Sequence, residues 1–181
     1  MDKHYTSTVE LGKILDAELS PQNKIVIYDH GDTNNKNVGE ITAYYGKELH
    51  RDNKLAEIDI AVLDDQRRII MLIEVEENGD RPKTVIGDAV STLLVDGIAF
   101  RSKPCTMIDG GATLLLLAKD SKVGHKDRMG EINKRIDQML GNPVINRLKL
   151  KRVKLELFRE PDEMKGIILK ELDRIYKISQ D

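Results

Sequence analysis

The sequence predicts an α/β fold in which helices flank a mixed central sheet. Residues 69–73 and 112–118 are continuous apolar runs of strand length, which is typical of strands buried on both faces of a sheet. Four other segments place apolar residues at helical spacing and alternate with the strands along the chain. The 181 residues are enough for one full core, so we expect a single domain over residues 1–181.

Composition narrows the function classes before any motif is considered. Charged residues make up 33% and apolar residues 40% of the chain, which is typical of globular proteins. The net charge of -2 gives no overall nucleic-acid signature, so a nucleic-acid surface has to be a local patch. There is no apolar run of about 18 residues and no signal-peptide core, and the single cysteine, Cys105, suits a reducing compartment. We therefore expect a cytoplasmic protein without a membrane segment.

The first elements are predicted to be a helix and a strand. Thr6 or Ser7 is a candidate cap for the helix, which ends before Pro21. Glu10 lies in the first turn, where the positive end of the helix dipole favours a carboxylate. Residues 24–28 then predict a short strand.

The region that follows this strand is less determined by its pattern. Residues 29–37 are rich in turn formers and predict a polar loop. His30 in that loop has no second histidine at ligand spacing, so it is interpreted as a loop residue. Residues 38–49, which include Glu40 and Lys47, fit either a helix or a strand.

The chain is organised around residues 56–78, which predict two strands joined by a polar turn at residues 64–68. The first strand alternates apolar and polar residues, and the second is an apolar run that ends in Glu74-Val75-Glu76. Because side chains alternate along a strand, Glu74 and Glu76 share one face of the sheet.

The short turn fixes which side chains of the two strands face each other. It predicts Asp59 roughly across from Glu74, and Glu57 roughly across from Glu76. Like charges at this spacing are destabilising, so buried carboxylates there are expected to pair, to protonate or to bind a cation. Carboxylate oxygens are the ligands that a hard divalent metal ion prefers. The alternative is that these acids project into water at the strand ends.

The second half of the chain predicts the order helix, strand, helix, strand, helix. The segments are 83–98, 112–118, 126–140, 147–159 and 161–176. A turn at Asn78-Gly79 precedes the first of these helices, and a polar turn over residues 120–126 precedes the second. In the strand 147–159 the apolar residues occupy even positions at first and odd positions later. A bulge near Lys151-Arg152 would bring both sets to the same face of the sheet.

The same segment carries the densest basic cluster of the sequence. Its members are Arg147, Lys149, Lys151, Arg152 and Lys154. Such a stripe can contact the phosphates of a nucleic acid. It can equally be the solvated face of a strand, and both interpretations stay open.

Asp59, followed by Glu74-x-Glu76 at the end of an apolar strand, resembles the motif of the PD-(D/E)xK nuclease superfamily. In that motif an acid on one strand and Asp/Glu-x-Lys on the next hold one or two Mg²⁺ ions. Asp59 and Glu74 match the two acids. Glu76 stands at the lysine position, a departure that some restriction enzymes of the superfamily share, and it leaves the general base open.

The resemblance implies the restriction-endonuclease-like fold, with an αβββαβ core over residues 5–120 and an elaboration over residues 121–181. It also implies a further acidic metal ligand upstream of Asp59, for which Glu10 and Glu40 are the candidates. A lysine of this superfamily can move to a neighbouring helix, which makes Lys83 a candidate for the missing cation, as well as a simple solvated residue. Lys47 is the other candidate for this charge.

The function implied by the resemblance is a Mg²⁺-dependent endonuclease, with Mn²⁺ as an alternative ion. Its partner would be double-stranded DNA, contacted by Lys149, Lys151, Arg152 and Lys154, and duplex cutters of the superfamily usually act as homodimers. The second hypothesis is an inactive binding or scaffold module with the same fold, which the missing lysine favours. The sequence has none of the P-loop, G-x-S-x-G, H-E-x-x-H or paired C-x-x-C motifs of other hydrolase classes.

Overall fold

The computed structural model describes residues 3–32, 34–77, 82–120 and 126–178. Over these ranges the chain forms four α-helices and nine strands. The elements are α1 (Lys3–Leu19), β1 (Ile25–Tyr28), β2 (Ile41–Tyr44), β3 (Lys54–Glu57), β4 (Ile60–Leu63), β5 (Arg68–Glu76), α2 (Pro82–Leu94), β6 (Gly97–Phe100), β7 (Lys103–Met107), β8 (Thr113–Lys119), α3 (Lys126–Leu140), β9 (Arg152–Phe158) and α4 (Pro161–Ile178). None of the helices in the described part of the chain is long and apolar enough to cross a membrane.

A mixed sheet of five strands, the main sheet, runs in the order β1-β4-β5-β8-β9. β4 is antiparallel to both of its neighbours, β1 and β5, whereas β8 and β9 are parallel to β5. The parallel step from β5 to β8 needs a crossover, and α2 lies within it. The predicted α/β class with a mixed sheet is therefore confirmed.

A second sheet of four antiparallel strands runs in the order β3-β2-β6-β7. It joins the main sheet through a short parallel pairing of β7 with the first two residues of β5. The segment 38–49, which the sequence left open, contributes the strand β2. The predicted helix over residues 83–98 is wrong at its end, because α2 stops at Leu94 and residues from Gly97 onwards pair with β2 and β7.

The predicted continuous strand before the central turn is in fact two strands, β3 and β4, separated at Ile58 and Asp59. The Ile58 N–H donates to the Ile41 carbonyl of the second sheet at 2.8 Å, whereas β4 pairs with β1 and β5 of the main sheet. Glu57 therefore follows the second sheet and does not lie across from Glu76, which corrects that prediction.

Helices cover both faces of the main sheet over two apolar cores. One core joins α1 and α4 to the sheet, and its members include Leu15, Ile168, Val26, Ile60 and Ile73. The other joins α2, α3 and the second sheet to the opposite face, and its members include Val85, Ile136, Ile41, Ala61 and Leu72. Side chains of β4 and β5 thus alternate between an α1/α4 face and an α2/α3 face.

The predicted strand over residues 147–159 begins only at Arg152. Residues before it form a turn in which Lys149 has a φ of 57°. The Asn146 side chain holds this turn by accepting from the Leu150 N–H and donating to the Leu150 carbonyl, both at 2.9 Å. The apolar residues therefore change from even to odd positions because the turn ends and β9 begins there, and not because of a bulge within one strand.

Candidate metal centre

Three carboxylates lie next to one another where the adjacent strands β1, β4 and β5 meet one end of the main sheet. Tyr28 pairs with Ile60, and Ile60 pairs with Ile73. One residue further along each strand, the same register brings Asp29, Asp59 and Glu74 side by side, and the Asp29 N–H donates to the Asp59 carbonyl at 3.1 Å. Since alternate residues share a face, these acids belong to the α2/α3 face. We call Asp29, Asp59 and Glu74 the acid row.

Within the acid row, Asp59 and Glu74 are in direct contact. The Asp59 Oδ2 accepts a hydrogen bond from the Val75 N–H at 2.8 Å. The Glu74 carboxyl group bonds with both the backbone N–H and the side chain of Asp59. The prediction that these two acids face each other across the hairpin is therefore confirmed.

Glu74 is a half-buried acid whose described neighbours are mostly other acids. Burial is the main reason that its pKa lies well above the ordinary value, and the nearby carboxylates of Asp59 and Asp88 raise it further, against the lowering effect of a bond from the Asp59 N–H. Among the described residues, no cation contributes to this shift. An added divalent cation or a proton would stabilise an acid in this setting.

Asp88 of α2 is the residue that sequence reasoning missed. Burial and the neighbouring Glu76 raise the pKa of Asp88. It lies three residues after Val85 and four before Thr92, two positions that are fully buried against the sheet. A carboxylate on the buried side of an otherwise apolar helix was the available signal.

Carboxylates from three elements therefore interact electrostatically: Asp59 before β4 and Asp88 on α2 both raise the pKa of Glu74 on β5, and Glu76 raises the pKa of Asp88. Of these acids, Asp59 and Glu74 are in hydrogen-bond contact, and their oxygen donors suit a hard divalent ion such as Mg²⁺ or Mn²⁺. The mutual repulsion that raises two of the pKa values is the physical evidence of fit, because a divalent cation would remove it.

The two further acids suggested as ligands lie elsewhere. The Glu40 carboxylate accepts from the Thr42 hydroxyl at 2.8 Å and from the Lys54 ammonium, and the bond from Lys54 is the main reason that its pKa is lowered. Glu40 therefore already has a cation. Glu10 has an exposed side chain on α1, which packs on the α1/α4 face, whereas the acid row belongs to the opposite face.

The candidate lysines do not supply the missing charge. Lys83 is exposed in the first turn of α2, and Lys47 is exposed in the turn after β2. Neither is among the groups that shift the pKa of Glu74 or of Asp88. The predicted cap at Thr6 or Ser7 is wrong, because α1 begins at Lys3 and both residues lie within it. The turn predicted at Asn78-Gly79 lies outside the described residues, as do residues 121–125 of the turn predicted over residues 120–126.

The basic cluster lies away from the acid row. Arg152 binds Glu171 of α4 at 2.9 Å, and Lys154 binds Glu156 at 3.0 Å. These residues alternate along β9 with Val153 and Leu155, which belong to the α2/α3 core, so they lie on the α1/α4 face. Lys149 and Lys151 are exposed in the preceding turn.

Comparison with protein-family models, with curated proteins and with solved structures finds no match to this chain. The acid row and its surroundings are therefore the basis for a functional proposal.

Proposed function

We propose that the chain is a metal-dependent endonuclease that hydrolyses phosphodiester bonds in DNA and binds Mg²⁺ or Mn²⁺ through Asp59 and Glu74. The observation that carries the proposal is the direct contact of these two carboxyl groups, with the pKa of Glu74 well above its ordinary value. Mg²⁺ is usually held by one or two protein carboxylates, with water and substrate phosphate completing its shell, so this pair is sufficient.

The order of elements supports the same proposal. α1, β1, β4, β5, α2 and β8 follow one another as helix, three antiparallel strands, helix and parallel strand, interrupted by the strands of the second sheet. This order is compatible with the αβββαβ core of the PD-(D/E)xK nucleases, and the proposal takes Asp59 and Glu74 as the two acids of that motif. The choice of DNA as substrate rests on this resemblance.

The side chains of the centre have distinct tasks in this proposal. The Val75 N–H orients the Asp59 carboxylate, and the Asp59 N–H orients that of Glu74. A bound divalent ion supplies a Lewis acid for the scissile phosphate and for a water molecule. Asp88, whose pKa is raised by burial and by Glu76, accepts the proton of the attacking water in place of the absent lysine.

The test is cleavage of double-stranded DNA by the full chain with Mg²⁺ and with Mn²⁺. We expect Asp59→Asn and Glu74→Gln each to lower the cleavage rate at least about 100-fold, because each removes a metal ligand without changing side-chain size. Asp65→Asn is the matched control, since Asp65 is an exposed acid in the turn between β4 and β5. Equal rates for all three variants and the wild type would rule out a catalytic role for the pair.

A binding module without catalytic activity is the second candidate. The observation that favours it is the pairing of Arg152 and Lys154 with acids on the α1/α4 face, opposite the face of the acid row, because this leaves the acid row without a basic phosphate-contacting surface from these two residues. In that case the wild type would cleave no DNA with either ion, and Asp59→Asn would bind DNA as tightly as the wild type. The nuclease proposal predicts cleavage by the wild type.

A further inference from the structure

A second group of metal-ligating side chains shares Asp29 with the acid row. Asp29 follows β1, His30 is the next residue, and Glu57 is the last residue of β3. One ligand atom from each of the three lies within 4.8 Å of the other two. Asp29 is buried, whereas His30 and Glu57 are exposed. We call Asp29, His30 and Glu57 the histidine cluster.

The backbone holds this cluster from two directions. The Asp29 N–H donates to the Asp59 carbonyl, which fixes the end of β1 against the start of β4. The Asp29 Oδ1 accepts from the His30 N–H at 2.7 Å, and its Oδ2 lies 3.5 Å from the His30 Nε2. Glu57 is held separately, because Thr42 of β2 pairs with it in the second sheet. The ligand atoms therefore come from both sheets.

The charge around the cluster is compatible with a cation. The only described ammonium group in ion-pair contact with it is Lys54, whose Nζ lies 3.9 Å from the Glu57 Oε1. That ammonium also binds the Glu40 carboxylate, which offsets its charge. Glu57 and Asp29 both raise the pKa of Lys54, although the bond to Glu40 is the largest cause. An incoming ion would therefore compete with this ammonium for the two carboxylates.

We propose that Asp29, His30 and Glu57 bind a first-row transition-metal ion of the Zn²⁺ type. An imidazole nitrogen with two carboxylates is a donor set that suits Zn²⁺ better than Mg²⁺, and a water molecule takes the fourth position. The ion links the end of β1 in the main sheet to the end of β3 in the second sheet. This site shares no ligand with the proposed Asp59–Glu74 centre and does not depend on that centre's function.

The test is a calorimetric titration of Zn²⁺ into the full chain and three single variants. His30→Asn removes the imidazole but suits the left-handed backbone at this position, where φ is 58°. Glu57→Gln removes a carboxylate that is exposed, so the fold is retained. Glu48→Gln is the matched control, because Glu48 is exposed and lies outside the cluster.

We expect His30→Asn and Glu57→Gln each to weaken Zn²⁺ binding at least about tenfold, and Glu48→Gln to leave it unchanged. Zn²⁺ at a hundredfold excess over its dissociation constant should also raise the melting temperature of the wild type by about 5–10 °C, and that of His30→Asn by less. Glu74→Gln should keep the Zn²⁺ site, which separates this proposal from the nuclease. Absence of Zn²⁺ binding in the wild type, or a Zn²⁺ affinity of His30→Asn or Glu57→Gln equal to that of the wild type, would overturn it.

Discussion

At the two ends of the hairpin formed by β4 and β5, the pKa values of the carboxylates are shifted in opposite directions. At the turn, the Asp64 carboxylate accepts from the backbone N–H and from the Nε of Arg68, both at 2.8 Å. Burial by itself raises the pKa of Asp64, but the bonds from Arg68 outweigh it and the pKa is lowered. At the open end, Glu74 meets Asp59 and Asp88 instead of a cation, and its pKa is raised.

The contrast separates a structural acid from a candidate functional one. Both acids are withdrawn from water in the same pair of strands, so burial alone does not distinguish them. Both acids accept a backbone N–H, and what differs is the charged partner: the Arg68 guanidinium for Asp64, and the Asp59 and Asp88 carboxylates among the described neighbours of Glu74. The open end is therefore the end at which a proton or an added cation would have the larger effect.

The substitution with the largest expected effect on stability lies at the turn of the hairpin, where Asp64 binds Arg68. Asp64→Ala leaves the Arg68 guanidinium and N–H without their acceptor, and we expect it to lower the free energy of unfolding by about 2 kcal/mol. Denaturant unfolding would measure this, with Asp65→Ala as control, since Asp65 is exposed and should change the value by less than about 0.5 kcal/mol. Equal effects of the two substitutions would show that the Asp64–Arg68 bonds contribute nothing.

At the open end the corresponding substitution should act in the opposite direction. Glu74→Gln removes a charge that faces two other carboxylates, so in EDTA at neutral pH we expect the variant to be more stable than the wild type, by about 1 kcal/mol. Glu48→Gln is the control for the change from Glu to Gln at an exposed site. A destabilised Glu74→Gln protein would mean that the row is compensated by groups other than an added ion.

The pH dependence should sharpen the comparison further. A raised pKa in the folded state means that Glu74 favours folding most below its unfolded pKa, and that this contribution is lost as the pH rises through the folded value. The stability gained by Glu74→Gln should therefore shrink towards zero as the pH falls below the ordinary glutamate range. Asp64 has a lowered pKa, so the loss caused by Asp64→Ala should instead be greatest at neutral pH and shrink in acid. Thermal unfolding in EDTA across this pH range would measure both trends.

The sequence predicted the features of the hairpin that depend on local pattern. The apolar run of β5 and the short turn were sufficient to bring Asp59 opposite Glu74. The break at Ile58 was not predictable, because both halves keep apolar residues in alternation while they join different sheets. Pairing between sheets is a non-local property, and alternation along one strand does not report it.

The same limit explains the two acids that were missed or undervalued. Asp29 joins the acid row only through the register of β1 against β4, which are separated by more than thirty residues of chain. Asp88 comes near Glu74 of the acid row only because α2 packs on the α2/α3 face of the sheet. Its position between Val85 and Thr92 was a local signal, but the strand that this side of the helix covers was not readable from spacing.

The measurement that tests the central claim most directly is a calorimetric titration of Mn²⁺. It should compare Glu57→Gln with the double variant Glu57→Gln/Glu74→Gln, so that the histidine cluster is disabled in both. We predict that the single variant binds Mn²⁺ and that the added loss of Glu74 weakens binding at least about tenfold. Equal affinities, or no Mn²⁺ binding by the single variant, would contradict the assignment of Asp59 and Glu74 as a metal centre.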